Sequence, residues 1–140
     1  MAKKKKTLPK DFEKIKKKND LEEVKKVFET TEINARGGYG KVTALSFYNV
    51  SDKQIRWLVE NDADLEAVDS YECTALHQHA SICNGDVSVL LELGANANAL
   101  DKYGKSPLHF ASCSCNVDAV KKLLEYGANL NAVNDQGETP

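Results

Sequence analysis

The sequence predicts an all-α solenoid of stacked helix-turn-helix units, with the turns between units projecting as β-turn or hairpin fingers. Three observations carry that expectation. A stretch of about 33 residues recurs along the chain, and a period of this size marks stacked supersecondary units. Gly104 is followed 33 residues later by Gly137, Ser106-Pro107 by Thr139-Pro140, and Thr74-Ala-Leu-His77 precedes Ser106-Pro-Leu-His109 by 32. Within the clearest copy, Val117, Val120, Leu123 and Leu124 fall at i, i+3, i+6 and i+7, the spacing of one apolar helix face.

Taken in chain order, residues 1–8 form a basic, flexible head. The array occupies 9–140, in units of about 9–35, 36–68, 69–100 and 101–134, with the start of a further unit at 135–140. In the first unit, residues 9–15 supply a polar first helix, Asp20 to Phe28 a second helix, and Ile33-Asn-Ala-Arg36 the exit. Residues 36–68 are degenerate: the segment from Gly40 to Leu45 carries an extra residue, and Asp62 stands where a helix-terminating glycine belongs. Ile55, Leu58 and Val59 keep its apolar face, with Trp57 a large outlier. In the third unit Glu72 takes the place of the turn glycine and Ala75 that of the proline.

The fourth unit is the most regular. Ser106 before Pro107 starts a short first helix, because a hydroxyl caps orphan amides and proline is pre-organised at the first helical position. A second helix begins near Asn116, with Asp118 at its positive end, and Gly127 supplies the left-handed residue that stops it. No complete C-terminal cap follows. The apolar face of Leu108, Val120 and Leu123 is therefore expected to be covered by more of the array, by a partner, or by self-association with a second copy.

These residues resemble the ankyrin repeat, whose pattern runs Asp-x-x-Gly-x-Thr-Pro-Leu-His, a Val-Val-x-Leu-Leu helix, then Gly-Ala-Asp-x-Asn-Ala. Residues 101–134 match best, and the likeness extends over nearly the whole chain. The resemblance implies a non-enzymatic module that binds another protein through its fingers and concave face. A regulatory or inhibitory piece of a larger protein, with activity elsewhere, is the alternative. In the family, the histidine of Thr-Pro-Leu-His bonds its own turn, which accounts for His77 and His109.

Composition narrows the partners. No apolar run approaches the roughly 18 residues of a membrane span. Residues 1–26 carry a balance of +6, whereas residues 27–140 carry −8, so the body is a poor grip for nucleic-acid phosphates. The Lys3–Lys6 and Lys16–Lys18 runs read as a solvated tail. Four cysteines without a secretory leader point to reduced thiols and a cytoplasmic setting.

Candidate chemistry is sparse, and no catalytic residue, metal or cofactor is expected. His79 with Cys83, and His109 with Cys113, are spaced i, i+4, a spacing that suits a metal or an activated thiolate. The two pairs lie 30 apart while the units are offset by 32, and no Cys-x-x-Cys completes a four-ligand set. Cys83 and Cys115 align near the bends as small fillers, and Cys113 faces the groove.

The strongest functional signal is aromatic. Tyr39, Tyr71 and Tyr103 recur at spacings of 32 beside the turn-glycine position, where fingertips project. Such a row anchors a partner or packs on the neighbouring turn, and interfaces are enriched in tyrosine. Phe47, Gln78 and Phe110 share the next groove position, and Phe110 completes the expected anchors. Asp69, Glu72, Asp101, Lys102 and Lys105 flank the fingers as mixed charge that would steer a partner.

Overall fold

The computed structural model describes residues 3–10, 12, 14, 20–37, 40–47 and 50–140. The elements run β1 (Lys5–Thr7), α1 (Leu21–Thr30), β2 (Thr31–Arg36), a single 3-10 turn (Ala44–Ser46), α2 (Asp52–Glu60), α3 (Ala75–Ala80), α4 (Ser88–Glu92), α5 (Pro107–Cys113) and α6 (Val117–Glu125). Among the described residues, six helices in this order fit a repeat solenoid.

Local chemistry sets the helix starts. Asp20 accepts the Glu22 amide at 2.9 Å ahead of α1, and Asn116 accepts the Ala119 amide at 3.0 Å ahead of α6. Gln54 reaches back to the Ser51 amide at 2.9 Å, closing the first turn of α2. Gly94 and Gly127, after α4 and α6, take φ of 95° and 80°, the left-handed conformation that ends a helix.

Two columns of leucine run through the stack. Leu45, Leu76 and Leu108 come from the first segments of successive units, and Leu58, Leu90 and Leu123 from the second helices. All six are fully buried in the core that runs through the stack. At the N-terminal end the core turns aromatic: Phe12 lies 6.0 Å from Phe28 and 5.5 Å from Phe47 between ring centroids.

The structure departs from the sequence expectation in four places. The fold is mostly helical rather than all-α, because Lys5–Thr7 pairs parallel with Thr31–Arg36, from Lys5 opposite Thr31 to Thr7 opposite Arg36. Backbone amides of the first unit's exit need partners, and next to this pairing Leu8 is buried with its N–H on the Arg36 carbonyl at 3.1 Å. Gly37 permits this approach, since a Cβ there would stand 2.8 Å from the Leu8 Cβ. In the second unit the first helix shrinks to the 3-10 turn of Ala44–Ser46.

The remaining differences concern α6 and the bends. Leu108 and Leu123 are fully buried, so they do not form an open C-terminal face, and only Val120 of that trio is half-buried. The inner face of α6 is Ala119 and Leu123, one turn apart, which leaves Val117 61% and Leu124 40% exposed. Cys83 and Cys115 are exposed rather than filling the bends, and Cys115 has φ of 55°.

Candidate functional site

The fingers are built by one repeated device. Asp69 Oδ1 accepts the amides of Tyr71 (2.7 Å) and Cys73 (3.0 Å). Asp101 Oδ1 accepts those of Tyr103 (2.9 Å) and Lys105 (2.8 Å). Asn134 Oδ1 does the same for Gln136 (2.9 Å) and Glu138 (3.0 Å). A side-chain oxygen that binds backbone two and four residues on closes a tight turn. Asp69 and Asp101 are buried in this role, so they are removed from the exposed charges expected at the fingers; Asp69 also accepts from the Gln78 amide at 2.8 Å.

Adjacent fingers are then laced through backbone. Ser70 N–H donates to the Gly40 carbonyl (2.8 Å), Lys102 N–H to Tyr71 (3.1 Å), and Asp135 N–H to Tyr103 (3.0 Å). The rings beside these bonds stay in solvent, Tyr71 at 40% and Tyr103 at 50% exposure. Tyr39 lies outside the described residues.

Between the two rings sits Lys102. Its Nζ is 4.1 Å from the Tyr71 centroid and 4.9 Å from the Tyr103 centroid, within the range of cation–π attraction to both. Hydrogen bonding to the Tyr103 side chain, then the field of Tyr103, Tyr71 and Glu72, holds the ammonium pKa above its ordinary value. The exposed Glu72 and half-buried Lys105 complete the edge. Sequence spacing set Tyr71 and Tyr103 at equivalent positions but did not identify Lys102 as the group between their rings.

The three groove positions part ways. Phe47 is buried in the core and Gln78 is bound to Asp69. Phe110 is half-buried, its ring edge-on to His77 at 5.2 Å. It lines a shallow cavity of about 290 Å³ with Ser81, Lys105, His109, Cys113 and Ser114. Cys113 is exposed there, as its position predicts.

The histidines are structural. Nδ1 of His77 faces the Thr74 amide (3.1 Å) and hydroxyl (2.9 Å), and Nδ1 of His109 faces those of Ser106 at the same distances. Both Nε2 atoms reach the next finger, at the Lys105 carbonyl (3.0 Å) and the Glu138 carbonyl (3.1 Å). Burial lowers the His77 pKa below its ordinary value. His79 is buried with its nitrogens on the Leu45 (3.1 Å) and Asp86 (3.3 Å) carbonyls, turned to backbone while Cys83 is exposed. Among the described residues no group of three or more His, Cys, Asp or Glu is placed to hold a metal, and no helix is long and apolar enough to cross a membrane.

Comparison with known families adds one finding. The family model for ankyrin repeats matches in three copies over residues 17–134. Among curated proteins, none matches the chain.

Proposed function

The chain belongs to the ankyrin repeat family, and from that premise we propose that it is a non-enzymatic module that binds a partner protein along its finger edge and concave face. The observation that carries this reading is the Tyr71–Lys102–Tyr103 stack, two exposed rings held in place by a shared ammonium. Rigid aromatic groups lose little conformational freedom on binding, which is why they recur as interface anchors. Phe110 extends the surface into the groove, and Glu72 and Lys105 supply its charge. Tyr39 would continue the row one unit earlier.

We read the array as four units with the start of a further one at 135–140. Four unpaired cysteines support a reducing, cytoplasmic setting. The test is affinity capture from the native source with wild type and a Tyr71→Ala/Tyr103→Ala variant, followed by titration of the purified partner. A protein held by the wild type and lost by the folded variant supports the reading. Equal retention by both would move the site off the fingers.

A further inference from the structure

A second surface lies away from the finger edge, where the basic head meets the first two units. A cleft of about 680 Å³ opens between α1, β2 and the C-terminal end of α2. Phe28, Ile33 and Trp57 form its apolar floor, with Phe28 and Trp57 centroids 6.0 Å apart at 38°. Ile33 and Trp57 are only half-buried, so their apolar surface is open to a ligand.

The walls are held by bonds that need no ligand. Lys4 Nζ donates to the Phe28 carbonyl at 2.8 Å, which pins the head strand against the end of α1. Asn61 donates to the Trp57 carbonyl at 2.8 Å. Asn34 bridges to the next unit, donating to the Asp62 carbonyl (3.1 Å) and accepting the Asp64 amide (2.8 Å). A cleft already in shape binds without the cost of ordering its walls.

Charge around the cleft is lopsided. Lys4 and Lys25 line it, Lys25 in an ion pair with Glu22 at 2.7 Å, and the positive excess comes from Lys3, Lys5 and Lys6, which stand exposed on or beside the β1 strand that pairs with β2. Glu29 and Glu32 line the same cleft, so a ligand's carboxylates are directed to the lysine side and its apolar group to the floor.

We propose that this cleft docks an acidic peptide segment of a partner protein, seating one large apolar side chain on Trp57, Ile33 and Phe28 with flanking carboxylates over the lysines of the head. The proposal goes beyond the finger-edge reading and shares no residue with it. The basic head is then the charged half of a peptide site rather than a solvated tail.

Trp57 is the single tryptophan of the chain, so its emission reports the site directly. The experiment selects random dodecapeptides displayed on phage against the full chain, then titrates the enriched peptides while Trp57 emission is followed. Selected sequences should carry one large apolar residue among Asp and Glu, and should shift Trp57 emission saturably. Lys5→Glu/Lys25→Glu, with an unchanged thermal midpoint, should weaken them by roughly tenfold or more, and Tyr71→Ala/Tyr103→Ala should not. A second variant, Ile33→Ser, tests the apolar half. Enrichment of basic or uncharged peptides would overturn the proposal, as would binding that ignores the charge reversal. The same emission change produced by oligo-dT or phosphatidylserine vesicles would assign the head to nucleic acid or membrane instead.

Discussion

The Nε2 of His77 lies 3.0 Å from the carbonyl oxygen of Lys105, so the ring that closes the first turn of one unit also holds the finger of the next. Its Nδ1 accepts from Thr74, which leaves the proton on Nε2 to be donated across the junction. His109 repeats this towards Glu138.

This arrangement needs a neutral imidazole. Protonation at Nδ1 would set an N–H against the Thr74 amide. Burial lowers the His77 pKa from 6.5, so the unfolded chain binds the proton more tightly than the folded one. The His77 contribution should be full above about pH 6.5 and should decline as pH falls below it. Urea melts at stepped pH should show this loss, and His77→Gln should flatten part of it. At pH 7.5, His77→Ala should cost about 2–4 kcal/mol, since it orphans buried groups on both units.

The finger staples should tolerate asparagine and reject alanine. Asn134 makes with Gln136 and Glu138 the two bonds that Asp101 makes with Tyr103 and Lys105. Asp101→Asn should stay near the wild-type thermal midpoint, whereas Asp101→Ala should lose about 1–2 kcal/mol. Equal midpoints for the two variants would mean that the backbone alone shapes the finger.

The tyrosines should behave in the opposite way. Tyr71→Ala and Tyr103→Ala remove exposed rings and one side each of the Lys102 stack. Each should weaken partner binding by about 1–3 kcal/mol while moving the thermal midpoint little. A large fall in midpoint with affinity intact would make the rings architectural.

Among the described residues Lys41, Asp62, Glu72 and Cys115 carry a left-handed backbone without glycine, and at two of them, Asp62 at φ 67° and Glu72 at φ 60°, the repeat pattern calls for glycine. Asp62→Gly and Glu72→Gly should each stabilise by about 0.5–1 kcal/mol, the relief of left-handed strain less the added freedom of the unfolded chain. Thermal melts of the single and double variants would check this, and a loss of stability would show that the side chains matter more than the strain.

Thiol labelling should separate one cysteine from three. Cys73 is buried beneath a finger, and burial, then the carboxylates of Asp69 and Asp101, push its pKa up to about 12. Cys83, Cys113 and Cys115 are exposed and should react with N-ethylmaleimide well before Cys73, as read by mass spectrometry. Fast labelling of Cys73 would mean that the finger opens.

Much of the architecture was legible because the repeat imposes its own phase. The offsets that align His77 with His109 also align the leucine columns, and the vacant glycine positions at Asp62 and Glu72 keep their positive φ. The 36–68 segment was legible only in its second helix. Among the described residues its first helix is one 3-10 turn, while Phe47 turns into the aromatic core. The site was half legible: tyrosine spacing could be counted, but whether an aspartate at a finger is exposed or spent on the turn depends on where its oxygen points.

What the sequence by itself determined is periodic and local: the unit length, the helix starts at Asp20, Ser106 and Asn116, and the placing of Tyr71 and Tyr103 at equivalent points of successive turns. These follow from side chains acting on backbone a few residues away. The tertiary structure alone decided what meets across units. It put Lys102 between two rings, drew residues 5–8 against the first unit's exit, and left Val117 and Leu124 in solvent while burying Leu123. Those outcomes depend on the rotation of one unit on the next, which no spacing along the chain encodes.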